Sequence, residues 1–392
     1  MLGIDNIQNK EKVAIIVVGY NRLNSVIRLL NSLLEANYTV KDIPLVISID
    51  CSGDHDLYAY VRSFEWPYGD KYVNIENERL GLLKHITKCG RFTSFFKAII
   101  LLEDDLYVSP HFYSYVMQML QMYSTDERIA EISLYKNERN GYVGLPFENE
   151  QNGCDVFLMQ DVSTWGECWT EKMWQGYEKW MNEHTENDVL SIDMPEIIKK
   201  WERAWSKYYN AYVVESGKYV LYPNVSLTTN FSDAGEHGGD NHSVVQVNLL
   251  QRDCTYRLAP FDKLVKYDIY FNNDQLVEWL NIPMEDLCLD IYGFLRKTKK
   301  RYILSTRTLP YRIIKSFALN MRPIELNVKY NIKGKGLYLY DTSESGKGDN
   351  SYTKEVVPYF LEGFSPFLLV RYVLKSLFKQ ILTKLKITNG KH

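Results

Sequence analysis

Residues 98–110 read AIILLEDDLYVSP: five apolar residues run directly into Glu103, Asp104 and Asp105, and the chain turns apolar again before Pro110. A short, β-branched apolar run bounded by polar residues is the pattern of a buried strand. Three adjoining carboxylates at its end repel one another and raise each other's pKa values. A positive partner is therefore expected beside them.

Working outward, the same alternation recurs. KVAIIVVGYN (residues 12–21) reads as a buried strand and turn, and RLNSVIRLLNSLLEA follows with apolar positions 23, 26, 27, 29, 30, 33 and 34, a helical period. IPLVISID is a second buried strand ending at Asp50, residues 54–64 are helical, YVNIEN is a third strand, and GLLKHITKCGRFTSFF is a helix. The helix PHFYSYVMQMLQMY follows the 98–105 segment, with Ser109 starting it and Pro110 in its first position. Strands alternating with helices through residue 123 predict an α/β fold with a mainly parallel sheet flanked by helices.

In such sheets ligands bind beyond the carboxyl ends of the strands. Asp50 and the Glu103-Asp104-Asp105 triplet both sit at such ends, so they are expected to converge on one crevice. A solvated acidic loop is the plain alternative, but such a loop seldom follows immediately on AIILL. Hard cations such as Mg2+ or Mn2+ favour carboxylate oxygens, and one or two carboxylates plus substrate phosphates make a common shell in nucleotide chemistry. Neither GxxxxGK[ST] nor GxGxxG occurs, so no glycine loop of those types cradles phosphates.

The strand–turn–Arg22 order, VISIDCSGD, ENERLGLLKHI and LLEDDLYVSPHFYSYV together resemble the GT-A glycosyltransferases of the N-acetylglucosaminyltransferase I type and their bacterial relatives. The acidic triplet is similar to that family's Asp-x-Asp motif. STWGECWTEKMW is similar to the acceptor-side segment of the bacterial relatives, and WSKYYNAYVVESGKYVLYPNVSLTTNFSDAGEHGG to the stretch after it. The resemblance spans roughly residues 12–275. It implies a GT-A domain over 1–275, with a nucleotide-sugar half at 12–123 and an acceptor half at 124–275; residues 276–392 fall outside it and read, from their charge and spacing, as a mostly helical basic extension. It also implies a UDP-sugar donor, Mn2+ or Mg2+, and transfer with inversion at the anomeric carbon.

Roles follow from the resemblance. Asp105 would bind the metal. Glu103 and Asp104 would orient the ribose, the metal's waters or the diphosphate. Asp50 would contact the uracil, and Arg22 would lie near the nucleotide. Inversion needs a general base on the acceptor hydroxyl. The animal enzymes carry it in a Trp-Asp-Asp-Trp stretch, whose nearest match here is WERAW, making Glu202 the first choice and Glu167 and Asp161 its rivals. The helix EIIKKWERAWSKYY equally reads as a solvated face. His237, in the Gly-rich SDAGEHGGDNH, reads either as a plain loop residue or as a group reaching the diphosphate from a lid. Trp165 and Trp169 suit stacking on a sugar face and suit ordinary packing equally.

The 392 residues, 45% hydrophobic with 30 Tyr and 8 Trp, are enough for a large core. The six cysteines include no CxxC pair and read as reduced thiols of a cytosolic protein. The polar start MLGIDNIQNKEK does not read as a signal peptide, and no run of 18 apolar residues suits a spanning helix. The net charge of −3 hides an asymmetry: residues 364–392 carry six Lys/Arg and no acid, and residues 291–324 carry nine and no acid. SPFLLVRYVLKSLFKQILTKLKI has helical spacing, with Arg371, Lys375, Lys379 and Lys386 on one side, apolar residues on the other and Lys384 out of pattern. A basic amphipathic helix reads as interfacial membrane binding, or as a helix packed on the protein's own core.

The sequence thus favours a metal-dependent, inverting transferase moving a sugar from a UDP-sugar to a saccharide acceptor. The acceptor is expected to be lipid-linked, in surface polysaccharide synthesis, with the enzyme cytoplasmic and peripheral at the inner face of the membrane. Two further readings stand beside it. A sugar nucleotidyltransferase usually has a Gly-rich, Arg-containing loop after its first strand, whereas GYNRLNS has one Gly. A nucleic-acid-binding protein using the basic blocks would lack any recognised module.

Overall fold

The computed structural model describes residues 9–202, 204–234, 243–361 and 365–389. They fall into two compact units: Met1–Met284 with Asp290–Phe294, and Glu285–Leu289 with Leu295–His392. The first unit runs past residue 275 and takes in the short helix Leu276–Leu280, whose Leu276 and Leu280 are buried.

A nine-stranded sheet forms the first unit. Its strands lie in the order Lys266–Tyr267, Val156–Met159, Tyr219–Pro223, Ile129–Ser133, Glu167–Thr170, Phe96–Glu103, Asn9–Gly19, Leu45–Ile49, Lys71–Ile75. Five of the eight pairings are parallel, so the mainly parallel α/β sheet expected from the sequence is the one observed. Val13–Val18, Leu45–Ile49 and Ala98–Leu102 are buried throughout, as strands covered on both faces must be. The Lys71–Ile75 strand, at the sheet's edge, is only partly buried.

Local sequence explains the flanking helices. Leu23–Leu34 turns Val26, Leu29, Leu30 and Leu33 to the core, the apolar stripe of a surface helix. His55–Ser63 starts where the Asp54 carboxylate accepts from Leu57 N at 3.0 Å, a side-chain N-cap. The helix after the acidic triplet starts later than its sequence signals indicate, at Phe112. Ser109 does not cap it. Its hydroxyl accepts from His111 N at 3.1 Å and donates to the Leu250 carbonyl, so a tertiary contact has taken the side chain that the local signal assigned to the helix. All six cysteines are unpaired thiols.

The second unit holds a four-stranded sheet in the order Leu287–Asp290, Tyr302–Ser305, Leu337–Ser345, Tyr311–Phe317, and ends in the helix Pro366–Asn389. The Leu337–Ser345 strand pairs antiparallel with both of its neighbours. Cys288, Ile303, Leu309 and Tyr340 form a small core on it. Reading this region as a basic surface gives no hint of the sheet. Tyr311–Phe317 is largely exposed and carries Arg312 and Lys315, so its alternation is masked by charge.

Candidate active site

The parallel strands Asn9–Gly19, Leu45–Ile49 and Phe96–Glu103 deliver Gly19, Asp50 and Glu103 to one end of the sheet. A cleft of about 400 Å³ opens there, lined among others by Tyr20, Arg22, Asp50, the Glu103–Asp105 triplet, Trp165 and Asp233. The crevice expected from strand topology is therefore present, and the acids meet in it.

Asp50 holds the cleft's wall in shape. Its carboxylate accepts from Cys51 N at 2.8 Å, Leu80 N at 2.9 Å and Gly81 N at 2.9 Å. Gly81 sits at φ +75°, where a side chain is strained, and directly precedes the helix Leu82–Gly90. That helix supplies His85, whose Nε2 lies 2.8 Å from the Ser48 hydroxyl and whose pKa burial pushes down. Its imidazole therefore faces the cleft neutral at pH 7.

The counter-charge for the triplet is Arg22. Its guanidinium grips Asp104 with two nitrogens, Nε donating to Oδ2 at 3.2 Å and Nη2 to Oδ1, while Nη1 reaches Asp105 Oδ2 at 3.2 Å. The same Nη1 donates to the Asp233 carbonyl at 3.2 Å. Asp233 is itself held by Arg28 and by the Ser25 hydroxyl at 2.7 Å. Two arginines from the first turns after the first strand thus anchor both the triplet and a segment some 200 residues away.

Burial sets the protonation of these acids. It pushes Glu103, beside Asp105 and Asp104, up to about 8. Burial also raises Asp104, but Arg22 opposes it and the group settles at about 6. Although burial opposes its charge, Arg22 is held above its ordinary value by Asp104 and Asp105. At neutral pH the triplet thus carries a protonated Glu103 and an ionised Asp104 paired to Arg22. Asp105 keeps one buried oxygen, Oδ1, with no hydrogen-bond partner. Buried polar atoms are nearly always satisfied, so an unpartnered carboxylate oxygen on a residue lining a cleft fits a cation's ligand. No group of three or more His, Cys, Asp or Glu side chains able to hold a metal ion occurs among the described residues.

Six of the residues singled out from sequence, Arg22, Asp50, Glu103, Asp104, Asp105 and Trp165, line this cleft. The three candidate bases do not. Glu202 is exposed, in a bend between the helices Glu196–Lys199 and Trp205–Glu215, where one continuous helix is expected from the sequence. The break follows packing: Trp205 goes into the core, and Trp201 leans on Tyr142 with ring centroids 6.1 Å apart. Asp161 is buried, accepts from Tyr142 Oη and from Asn137 Nδ2 at 3.0 Å, and is pushed by burial up to about 7. Glu167 is fully buried in a central strand, both carboxyl oxygens lacking a partner, and burial with Glu131 nearby drives its pKa well up. His237 lies outside the described residues.

Trp169 is a core residue rather than a sugar platform. It has no exposed surface, and its indole donates to Glu131 Oε2 at 3.1 Å. Trp205, Asp233 and His85 line the cleft without having been singled out from the sequence. Tyr20 and Asn21 could have been found by the strand-end rule that picked Asp50, since they directly follow Gly19. Asp233 carries no local signal.

No family model matches the chain, and no curated protein matches it. Solved structures give partial likenesses. S. aureus TarS 1–349 in complex with UDP-GlcNAc is 12% identical with a TM-score of 0.40, over 58% of this chain and 60% of that one. The mannosyltransferase PcManGT from Pyrobaculum calidifontis, in complex with GDP-Man and Mn2+, is 12% identical with a TM-score of 0.36, over 56% and 57%. GalNAc-T7 with UDP, GalNAc and Mn2+ is 13% identical with a TM-score of 0.36, over 56% and 43%. The chain thus spans about six tenths, or less, of the length of the proteins it is similar to.

Proposed function

We propose that the protein is a metal-dependent glycosyltransferase of GT-A type that moves a sugar from a UDP-sugar to a saccharide acceptor with inversion. The observation that carries this reading is the acidic triplet at a strand's carboxyl end, clamped by Arg22, with a buried, unpartnered Asp105 oxygen facing a cleft of about 400 Å³. A cleft of this size suits a small ligand. Asp105, with the donor's own phosphate oxygens, would hold Mn2+ or Mg2+, and the bound ion would offset the charge developing on the departing diphosphate.

The chain's own residues do the rest. Arg22 keeps Asp104 and Asp105 turned inward against their mutual repulsion. Asp50 fixes the loop at Leu80–Gly81 that forms the nucleobase side. Trp165 offers a ring face at the cleft. Glu202, exposed two residues before the cleft-lining Ala204, is the general base that takes the acceptor hydroxyl's proton as the glycosidic bond forms. The acceptor is a lipid-linked saccharide of surface polysaccharide synthesis, met by a cytoplasmic enzyme at the inner face of the membrane.

The test is a panel of nucleotides and nucleotide-sugars assayed with Mn2+ or Mg2+ for thermal stabilisation and for sugar release. UDP-sugars should stabilise the protein only with metal, and Asp105→Asn should abolish the metal dependence and the turnover. Metal-independent binding, or an Asp105→Asn protein with wild-type turnover, refutes the reading. Synthesis of a UDP-sugar from UTP and a sugar phosphate would make it a nucleotidyltransferase.

A further inference from the structure

The second unit has an unusual surface. Residues 285–289 and 295–392 contain twenty Lys/Arg and eight Asp/Glu, a net +12, so the first unit, with the rest of the chain, carries −15. The unit closes with the 24-residue helix Pro366–Asn389. Between Phe367 and Phe378, large apolar side chains stand in solvent, with Phe367 76%, Leu374 62% and Phe378 64% exposed.

At 100° per residue, Phe367, Val370, Leu374, Leu377 and Phe378 share one arc of that helix, with Arg371 and Lys375 beside it. A helix packed on its own core would bury that arc. Contiguous exposed apolar surface of this kind marks a docking face. The helix is not built to cross a bilayer, for no helix of the described residues is long and apolar enough.

We infer that the helix Pro366–Asn389 lies in the plane of an anionic bilayer, its Phe367–Leu374–Phe378 arc sunk among the acyl chains and the cationic second unit over the lipid headgroups. This deepens the membrane side of the proposed function. Two features select the occupant. Apolar residues flanked by basic ones match the acyl–headgroup boundary of an anionic leaflet. The +12 of the unit is complementary to that surface, while a second copy of the same unit would present +12 to it and be repelled.

The experiment is co-sedimentation of the full chain with vesicles of phosphatidylcholine alone or with 30% phosphatidylserine, without nucleotide or metal. Binding is expected only to the anionic vesicles and should fall severalfold between 0.05 and 0.5 M NaCl, as screening shortens the reach of the charges. The variant F367E/L374E/F378E should lose at least roughly a hundredfold in partitioning, since each substitution removes a side chain that gains on leaving water. Arg371→Glu with Lys375→Glu should remove the preference for anionic lipid. All five positions are exposed, so the melting temperatures should match that of the wild type. Absence of binding, equal binding to neutral vesicles, or self-association through the arc with no lipid binding overturns the inference. Metal-dependent stabilisation by UDP, measured on the same preparation, separates that failure from failure of the cleft's reading.

Discussion

Replacing Arg22 with Met should unbalance the triplet, and by a calculable amount. The Arg22 side chain is 21% exposed and the Asp104 side chain 5%, so the pair lies largely out of water. Removing one partner of a buried ion pair costs about 3–5 kcal/mol. The partial exposure of Arg22 reduces this to roughly 2–4 kcal/mol. For a unit of this size that is a melting-temperature drop of roughly 3–7 °C. The pH dependence has a definite sign. Burial already raises the Asp104 pKa from its ordinary 3.8 to about 6 despite Arg22. Without the guanidinium it must rise further, and a carboxyl whose folded pKa lies above its unfolded one loses stability as pH rises through that interval. The deficit of Arg22→Met should therefore be largest near pH 8 and shrink toward pH 4, where Asp104 is protonated in the folded state of both proteins and their unfolded states titrate alike. Thermal melts in EDTA from pH 4.5 to 8.5 measure it. Adding Asp104→Asn should restore most of the loss at pH 8, since the more deeply buried of the two carboxylates that Arg22 held then carries no charge. A drop below 2 °C at pH 8, or one equally large at pH 5, would refute the electrostatic account of the triplet.

Turnover of the candidate bases separates them. Glu202→Gln should lower turnover by roughly two to four orders of magnitude with donor affinity unchanged, while Asp161→Asn should stay within about tenfold of wild type; the reverse outcome transfers the role to the Asp161–Tyr142 pair. Glu167, whose burial keeps it protonated, predicts a stability effect instead. Because its folded pKa is raised, wild type loses about 1.4 kcal/mol per pH unit above ~4.5 until that pKa is reached. Melts of Glu167→Gln should therefore gain on wild type as pH rises from 4.5 to 8, and a constant difference would mean that Glu167 ionises freely.

What the sequence by itself determined is what depends on near neighbours. The apolar runs 13–18, 45–49 and 98–102, and the helical spacing after residue 22, specify strands and helices because burial periodicity is local. The triplet's place at a strand end follows from the same pattern, and with it the crevice. The tertiary structure decided which groups meet there. Arg22 finds Asp104 across 82 residues and Asp233 across 211, distances over which no spacing rule operates. It also decided that Glu167 and Trp169 are core while Glu202 stands in solvent. Their shared neighbourhood in the sequence, among tryptophans and charges, looks the same for each. A side chain's charge state and its access to a substrate depend on how much water packing leaves around it, and packing brings together residues from opposite ends of the chain.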